Sequence, residues 1–248
     1  MMKKVIGLIV AFGFLFQSCV TTEEVTVKKE GAITYGLEMN FSELLQAMPN
    51  SNGMSKDVKK ALDLINGEEL TVEQLLDLSL LESKKPEQKK DSILKANPNL
   101  LKKTENLRAR VMMNDSVGNI ALKIIAKNAS DLNTSLINLE ELSALGEGNT
   151  KKLDTPEFVK NSKFEWKKKT LQRTISVKPE DLQKGLGELG QMAGMFTYRI
   201  KVNFEQPIQS VSYADALIAQ DGKSFVKEFK MSEVVANPKI LEYKVELK

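Results

Sequence analysis

The chain contains no histidine and a single cysteine, Cys19, so most of the side chains that usually carry chemistry are missing. Without imidazole there is no Ser-His or Cys-His nucleophile and no imidazole metal ligand. A lone thiol makes neither an intrachain disulfide nor a zinc-binding thiolate cluster. The remaining nucleophile pattern is Ser-x-x-Lys, which Ser92-Ile93-Leu94-Lys95 and Ser224-Phe225-Val226-Lys227 both fit. With 17 Ser and 32 Lys in 248 residues, chance alone supplies about two such matches, which is the number found. The Lys-Thr-Gly and Ser-Asp-Asn partners of serine acyl-enzymes are absent. No oxygen-rich calcium loop occurs, and Gly185, Gly187, Gly190 and Gly194 fall in a helical stretch where they suit close packing better than a phosphate cradle. Two carboxylates from distant parts of the chain could still meet, which is the minimum for glycoside hydrolysis, although Trp166 is the only indole available to line a sugar cleft. The expectation is no catalytic residue, no metal and no cofactor.

The elements that would position any such groups are those of an ordinary folded protein, 42% hydrophobic and 28% charged. The formal charge of +3 falls to about +1 once Lys3 and Lys4 are set aside, too balanced for a nucleic-acid binder. Those two lysines precede an apolar run from Val5 to Phe16, followed by Gln17-Ser18-Cys19 and then by polar Thr21, Thr22, Glu23 and Glu24. A basic start, a short apolar core and a small residue are the order of a secretory signal. Twelve helical residues reach about 18 Å, short of the ~30 Å of a bilayer's hydrocarbon.

A small residue followed by the only Cys at the end of the apolar run resembles the lipobox of bacterial lipoproteins. The resemblance implies that residues 1–18 are a signal peptide and that Cys19 is acylated, palmitate included, and becomes the first mature residue. The usual Leu three places before the Cys is here Phe16, with Leu15 one step back. The loose lipobox, the Lys-heavy composition and the Glu23-Glu24 pair resemble lipoproteins of the Bacteroidota, in which early acidic residues mark export to the cell surface; a solvated tether is the other reading of that pair. Asp91-Ser92-Ile93 and Asp115-Ser116-Val117 resemble the O-glycosylation pattern of the same bacteria.

Residues 19–30 read as an extended, lipidated tether, and 31–248 as the folded domain. Ile33, Tyr35, Leu37, Met39 and Phe41 alternate with polar residues, predicting a half-buried strand. About 55–106 reads as a helical insertion. Its signals are Val58, Ala61, Leu62 and Ile65 at helical spacing, a capping box at Thr71 and Gln74, and Pro86 opening a helix that Asn97-Pro98 ends. Leu107–Met113 and Ile120–Lys127 predict a hairpin, and Ser130-Asp131 caps a helix reaching about Leu145. A long strand from Phe164 to Val177 changes parity near Lys168, predicting a bulge there. A helix from Pro179 to about Ala193 precedes the cleanest strand, Phe196–Phe204. Ser210–Ile218 pairs with Ser224–Met231, and a strand from Leu241 to Leu247 ends the chain.

The fold class is therefore α+β, an antiparallel sheet with helices on one face; if 55–106 is an insertion, the strands leading into Phe41–Gln46 and Lys178–Gln183 would open a tandem β-α-β-β repeat, and the class holds with or without it. From Met195 onward the pattern resembles the ending of uncharacterised envelope lipoproteins. The functional expectation is a lipid-anchored, non-catalytic cell-envelope lipoprotein of the outer membrane, on its periplasmic face or at the cell surface. It would bind or scaffold an unknown envelope protein or glycan, and no nucleic acid. The alternatives are a carrier of an apolar ligand, marked by a closed apolar cavity, and a carboxylate-dependent hydrolase of envelope polysaccharide, marked by a paired-carboxylate cleft.

Overall fold

A computed structural model describes residues 19–43, 65, 67–80, 85–113, 117–139, 157–186, 193–194 and 196–248. The strands are β1 (Cys19–Val27), β2 (Ile33–Asn40), β3 (Glu69–Leu70), β4 (Leu107–Met113), β5 (Gly118–Ala126), β6 (Ser162–Lys167), β7 (Thr170–Ile175), β8 (Phe196–Phe204), β9 (Ile208–Val211), β10 (Leu217–Ile218), β11 (Ser224–Lys230) and β12 (Tyr243–Leu247). The helices are α1 (Val72–Ser79), α2 (Pro86–Ala96), α3 (Leu100–Lys103), α4 (Ala129–Asn138), α5 (Glu157–Lys160), α6 (Pro179–Leu186) and α7 (Met231–Ala236), followed by a 3₁₀ turn at Pro238–Leu241. The class is α+β, dominated by antiparallel pairing. An eight-stranded sheet has the order β10-β11-β8-β1-β2-β5-β4-β3, and a four-stranded sheet the order β6-β7-β12-β9.

The tether reading of residues 19–30 is corrected: Cys19–Val27 is β1, in the interior of the large sheet, antiparallel to β2 and parallel to β8. Its burial alternates, with Thr21, Glu23, Val25 and Val27 turned inward. Gly31 lies in the turn that returns the chain to β2. Its φ of 92° belongs to glycine, and an added Cβ would meet the Trp166 indole at 3.2 Å. The glycine that looked like the start of the fold is thus the turn of its first hairpin.

One face of the large sheet is apolar, through Ile33, Tyr35 and Leu37 of β2, Leu107 and Ala109 of β4, Ile124 and Ala126 of β5, and Tyr198, Ile200, Val202 and Phe204 of β8. The small sheet and the helices cover it, and a single cluster of buried side chains joins both sheets. Helix α4 places Leu132 and Leu136 in that core; its start is capped by Asn128, whose side chain accepts from the Asp131 N–H at 2.9 Å. The opposite face of the large sheet is mostly polar, with Ile125 and Leu217 exposed on it.

The described part of 55–106 is helical apart from β3, a two-residue strand at the sheet's edge. Thr71 and Gln74 form the expected capping box on α1, and Pro86 opens α2. Most of the helix expected at Val58–Ile65 and the end of the one expected to reach Leu145 lie outside the described residues. The bulge near Lys168 is instead a tight turn: Lys168 has a φ of 56°, and Lys167 and Thr170 pair across the β6–β7 hairpin. A strand and its return have opposite parity at a turn as at a bulge, so alternation alone confuses the two. Ser210–Ile218 also divides, because β9 joins β12 in the small sheet while β10 pairs with β11. The tandem β-α-β-β arrangement fails on the same ground. Strands β2, β5 and β4 lie side by side, whereas β7 and β8, the corresponding elements of the second half, belong to different sheets.

Candidate functional site

Cys19 opens β1, half-buried and free, opposite Phe196 of β8. Burial, and secondarily the Glu43 carboxylate, push its thiol pKa up. The two Ser-x-x-Lys matches fall on elements of different kinds. Ser92 and Lys95 are exposed on α2. Ser224 and Lys227 sit three apart on strand β11 and so point to opposite faces, with Lys227 held by Asp215 at 2.5 Å. Of the glycosylation patterns, Ser92 is exposed on α2, and Asp115 and Ser116 lie outside the described residues.

The Glu23-Glu24 pair, expected as a solvated or export-marking start, is split by the alternation of β1. Glu24 faces outward and meets Lys201 at 2.9 Å. Glu23 faces the core, fully buried, and contacts the equally buried Arg173 of β7 at 2.8 Å, joining the two sheets. The Tyr198 hydroxyl donates to the other Glu23 oxygen, and the Arg173 Nε and one terminal nitrogen donate to the Ser162 hydroxyl at 3.2 and 2.9 Å. The guanidinium also stands 5.6 Å from the Phe164 ring centre. Burial alone would lower the Arg173 pKa, and Glu23 and the surrounding tyrosines outweigh it, leaving it above its ordinary value. This cluster escaped the sequence reading because a Glu at an inward strand position looks like a break in the hydrophobic pattern. Its one visible signal is the parity of Glu23 with Val25 and Val27.

The outer face of the large sheet carries a cleft of about 320 Å³. Register builds it row by row: Lys201, Glu24, Gly36, Lys123 and Arg108 stand side by side on five adjacent strands. The next row is Arg199, Thr22, Glu38, Ala121 and Arg110. Gly36 and Ala121 leave the floor low between charged walls. Nothing in the backbone demands Gly36, since a Cβ there would come no nearer than 3.8 Å to any neighbour. Glu38 meets Arg110 at 3.7 Å and accepts from Asn119; Glu69 meets Lys123 at 2.7 Å. The Arg108 guanidinium donates to the main-chain carbonyls of Glu105 and Leu107. A second hollow of about 570 Å³, sharing Thr22 and Glu38, continues toward the Cys19 end past Val20, Asn40 and Ser42. Hydroxyls and charges of both signs line the two hollows.

No family model and no curated protein matches this chain. Its structure is similar to the NMR structure of the folded domain of the LppM protein of Mycobacterium tuberculosis. The TM-score is 0.41 at 7% identity, over 93% of this chain and 89% of that one. A likeness of that degree transfers no property to this chain. No helix among the described residues is long and apolar enough to cross a membrane.

Proposed function

We propose that this chain is a lipid-anchored, non-catalytic protein of the bacterial cell envelope, held at the outer membrane by acyl chains on Cys19. In this reading the outer face of its large sheet binds or scaffolds an envelope protein or glycan. The observation that carries the proposal is the position of β1. An interior strand of the large sheet opens on the residue that follows the apolar leader, and its outward side chains, Thr22 and Glu24, line the polar cleft. Anchor and cleft therefore share one strand.

Two features favour binding over the alternatives. In the smaller cleft Glu24, Glu38 and Glu69 are engaged by Lys201, Arg110 and Lys123, and the adjoining hollow adds only Glu43 among the described residues, whereas a glycosidase needs one acid kept protonated and one carboxylate free to attack. Between the sheets, where a carrier would hold an apolar ligand, the space around Glu23 and Arg173 is filled by Phe158, Phe164, Tyr35 and Tyr198.

The test compares wild type, Cys19→Ser and Gly36→Leu in cells. Cys19→Ser is expected to stop taking up labelled fatty acid, and continued labelling would end the lipid reading. Gly36→Leu is expected to keep the label and the melting temperature while losing the crosslinked species formed by wild type. Unchanged crosslinks would remove the cleft from the binding surface.

A further inference from the structure

The two ends of the large sheet differ in chemistry, and the difference falls around Cys19. Cys19 and Phe196 face each other in the last row of the sheet, where Phe41 donates its N–H to Gly118, the partner of Met113. One row further in on the same inward-facing side, at the residues two along each strand, stand Met39 and Ile120, a register pair. Phe41, Met113, Phe196 and Ile120 are half-buried, and Met39 is 38% exposed. The thiol sulfur of Cys19 thus emerges within a strip of incompletely covered apolar side chains. About 30 Å away, at 3.3 Å per residue along β1, the opposite end carries Lys28, Lys29, Glu30 and Glu205, with Lys28 and Glu205 paired at 3.2 Å.

We infer that the strip formed by Phe41, Met39, Met113, Ile120 and Phe196 is a membrane-contacting surface, seated on the lipid that Cys19 anchors. The inference rests on the lipoprotein reading of Cys19 and adds an orientation to it. A twelve-residue tether would allow a reach of up to about 40 Å and leave the domain free to turn. With β1 beginning at the acylated residue there is no tether, and the acyl chains start where the sheet ends. Apolar side chains flanking that point cannot avoid the bilayer interface, and transferring their remaining exposed area out of water favours the contact. The strands then stand on the membrane, the charged end points away, and the polar cleft opens sideways, accessible from beside the membrane.

The test uses the full chain made in a lipid-attaching bacterial host. Acylation consumes the only native thiol, so an introduced cysteine is the only site for a bimane fluorophore, and wild type reports any unacylated Cys19. Met39→Cys and Met113→Cys are compared with Lys29→Cys in vesicles of phosphatidylethanolamine and phosphatidylglycerol with and without doxyl-labelled lipid. Mass spectrometry of the Cys19 peptide is run on every sample. The expected result is acylated Cys19 with quenching several-fold stronger at 39 and 113 than at 29. Acylated Cys19 with equal quenching at all three positions overturns the orientation and leaves the anchor standing. Absence of acyl mass on Cys19 overturns both. Two positions on different strands guard against one variant misfolding.

Discussion

Raising the pH probes the centre of this fold directly, because all four tyrosines of the chain lie in or beside the cluster built on Glu23 and Arg173. Burial, and then the Glu23 carboxylate, hold Tyr35, Tyr198 and Tyr243 well above the usual phenol pKa. Burial also raises that of Tyr213, whose hydroxyl donates to the Ile240 carbonyl at 3.0 Å. Folded pKa values above the unfolded value near 10 mean that the stabilisation from keeping these phenols neutral is intact below pH 10. It is lost as pH climbs from there toward the folded pKa, since in that window only the unfolded chain releases the protons. Each such group costs about 1.4 kcal/mol per pH unit, so the three fully buried tyrosines together remove about 4 kcal/mol per unit. A domain stable by about 5–15 kcal/mol should therefore unfold within a few pH units above 10. The assay is absorbance at 295 nm against pH, with circular dichroism on the same samples. Tyrosinate should be absent while the fold persists and then appear for all four rings in one step that coincides with loss of structure. A gradual rise centred near pH 10 with intact dichroism would show that these rings are not sealed in the core and would refute the account of the cluster.

The remaining predictions concern single positions. Glu23→Gln leaves Arg173 buried without its counter-charge and should cost about 3–5 kcal/mol in urea unfolding. Combining it with Arg173→Met should cost clearly less than the two changes added, and simple additivity would mean that the pair does not interact. Gly31→Ala forces a Cβ into a left-handed turn and against Trp166, for a loss of at least about 1–2 kcal/mol, visible as a lowered Tm. Lys168→Gly relieves the same kind of backbone strain in the β6–β7 turn and should raise the Tm; a lowered one would argue against that turn.

What the sequence determined by itself was local. Strict alternation at Ile33–Phe41 and Phe196–Phe204 defines strands because side chains two apart share a face, and β2 and β8 lie within a residue of those bounds. The Thr71–Gln74 box and Pro86 likewise mark helix starts, because the orphan N–H groups of a first turn need those residues or tolerate that one. The apolar run ahead of Cys19 is equally legible. Tertiary structure decided everything that depends on a partner far along the chain. Residue Glu23 hides the pattern of β1 because a carboxylate at an inward position reads as solvent-facing until Arg173, on the other sheet, supplies its charge. The cleft is invisible for a related reason: Gly36, Ala121, Arg108 and Lys123 become neighbours only through the register of β2, β5 and β4. Alternation says which residues share a face of one strand, whereas hydrogen-bonded pairing between strands decides which of them stand together.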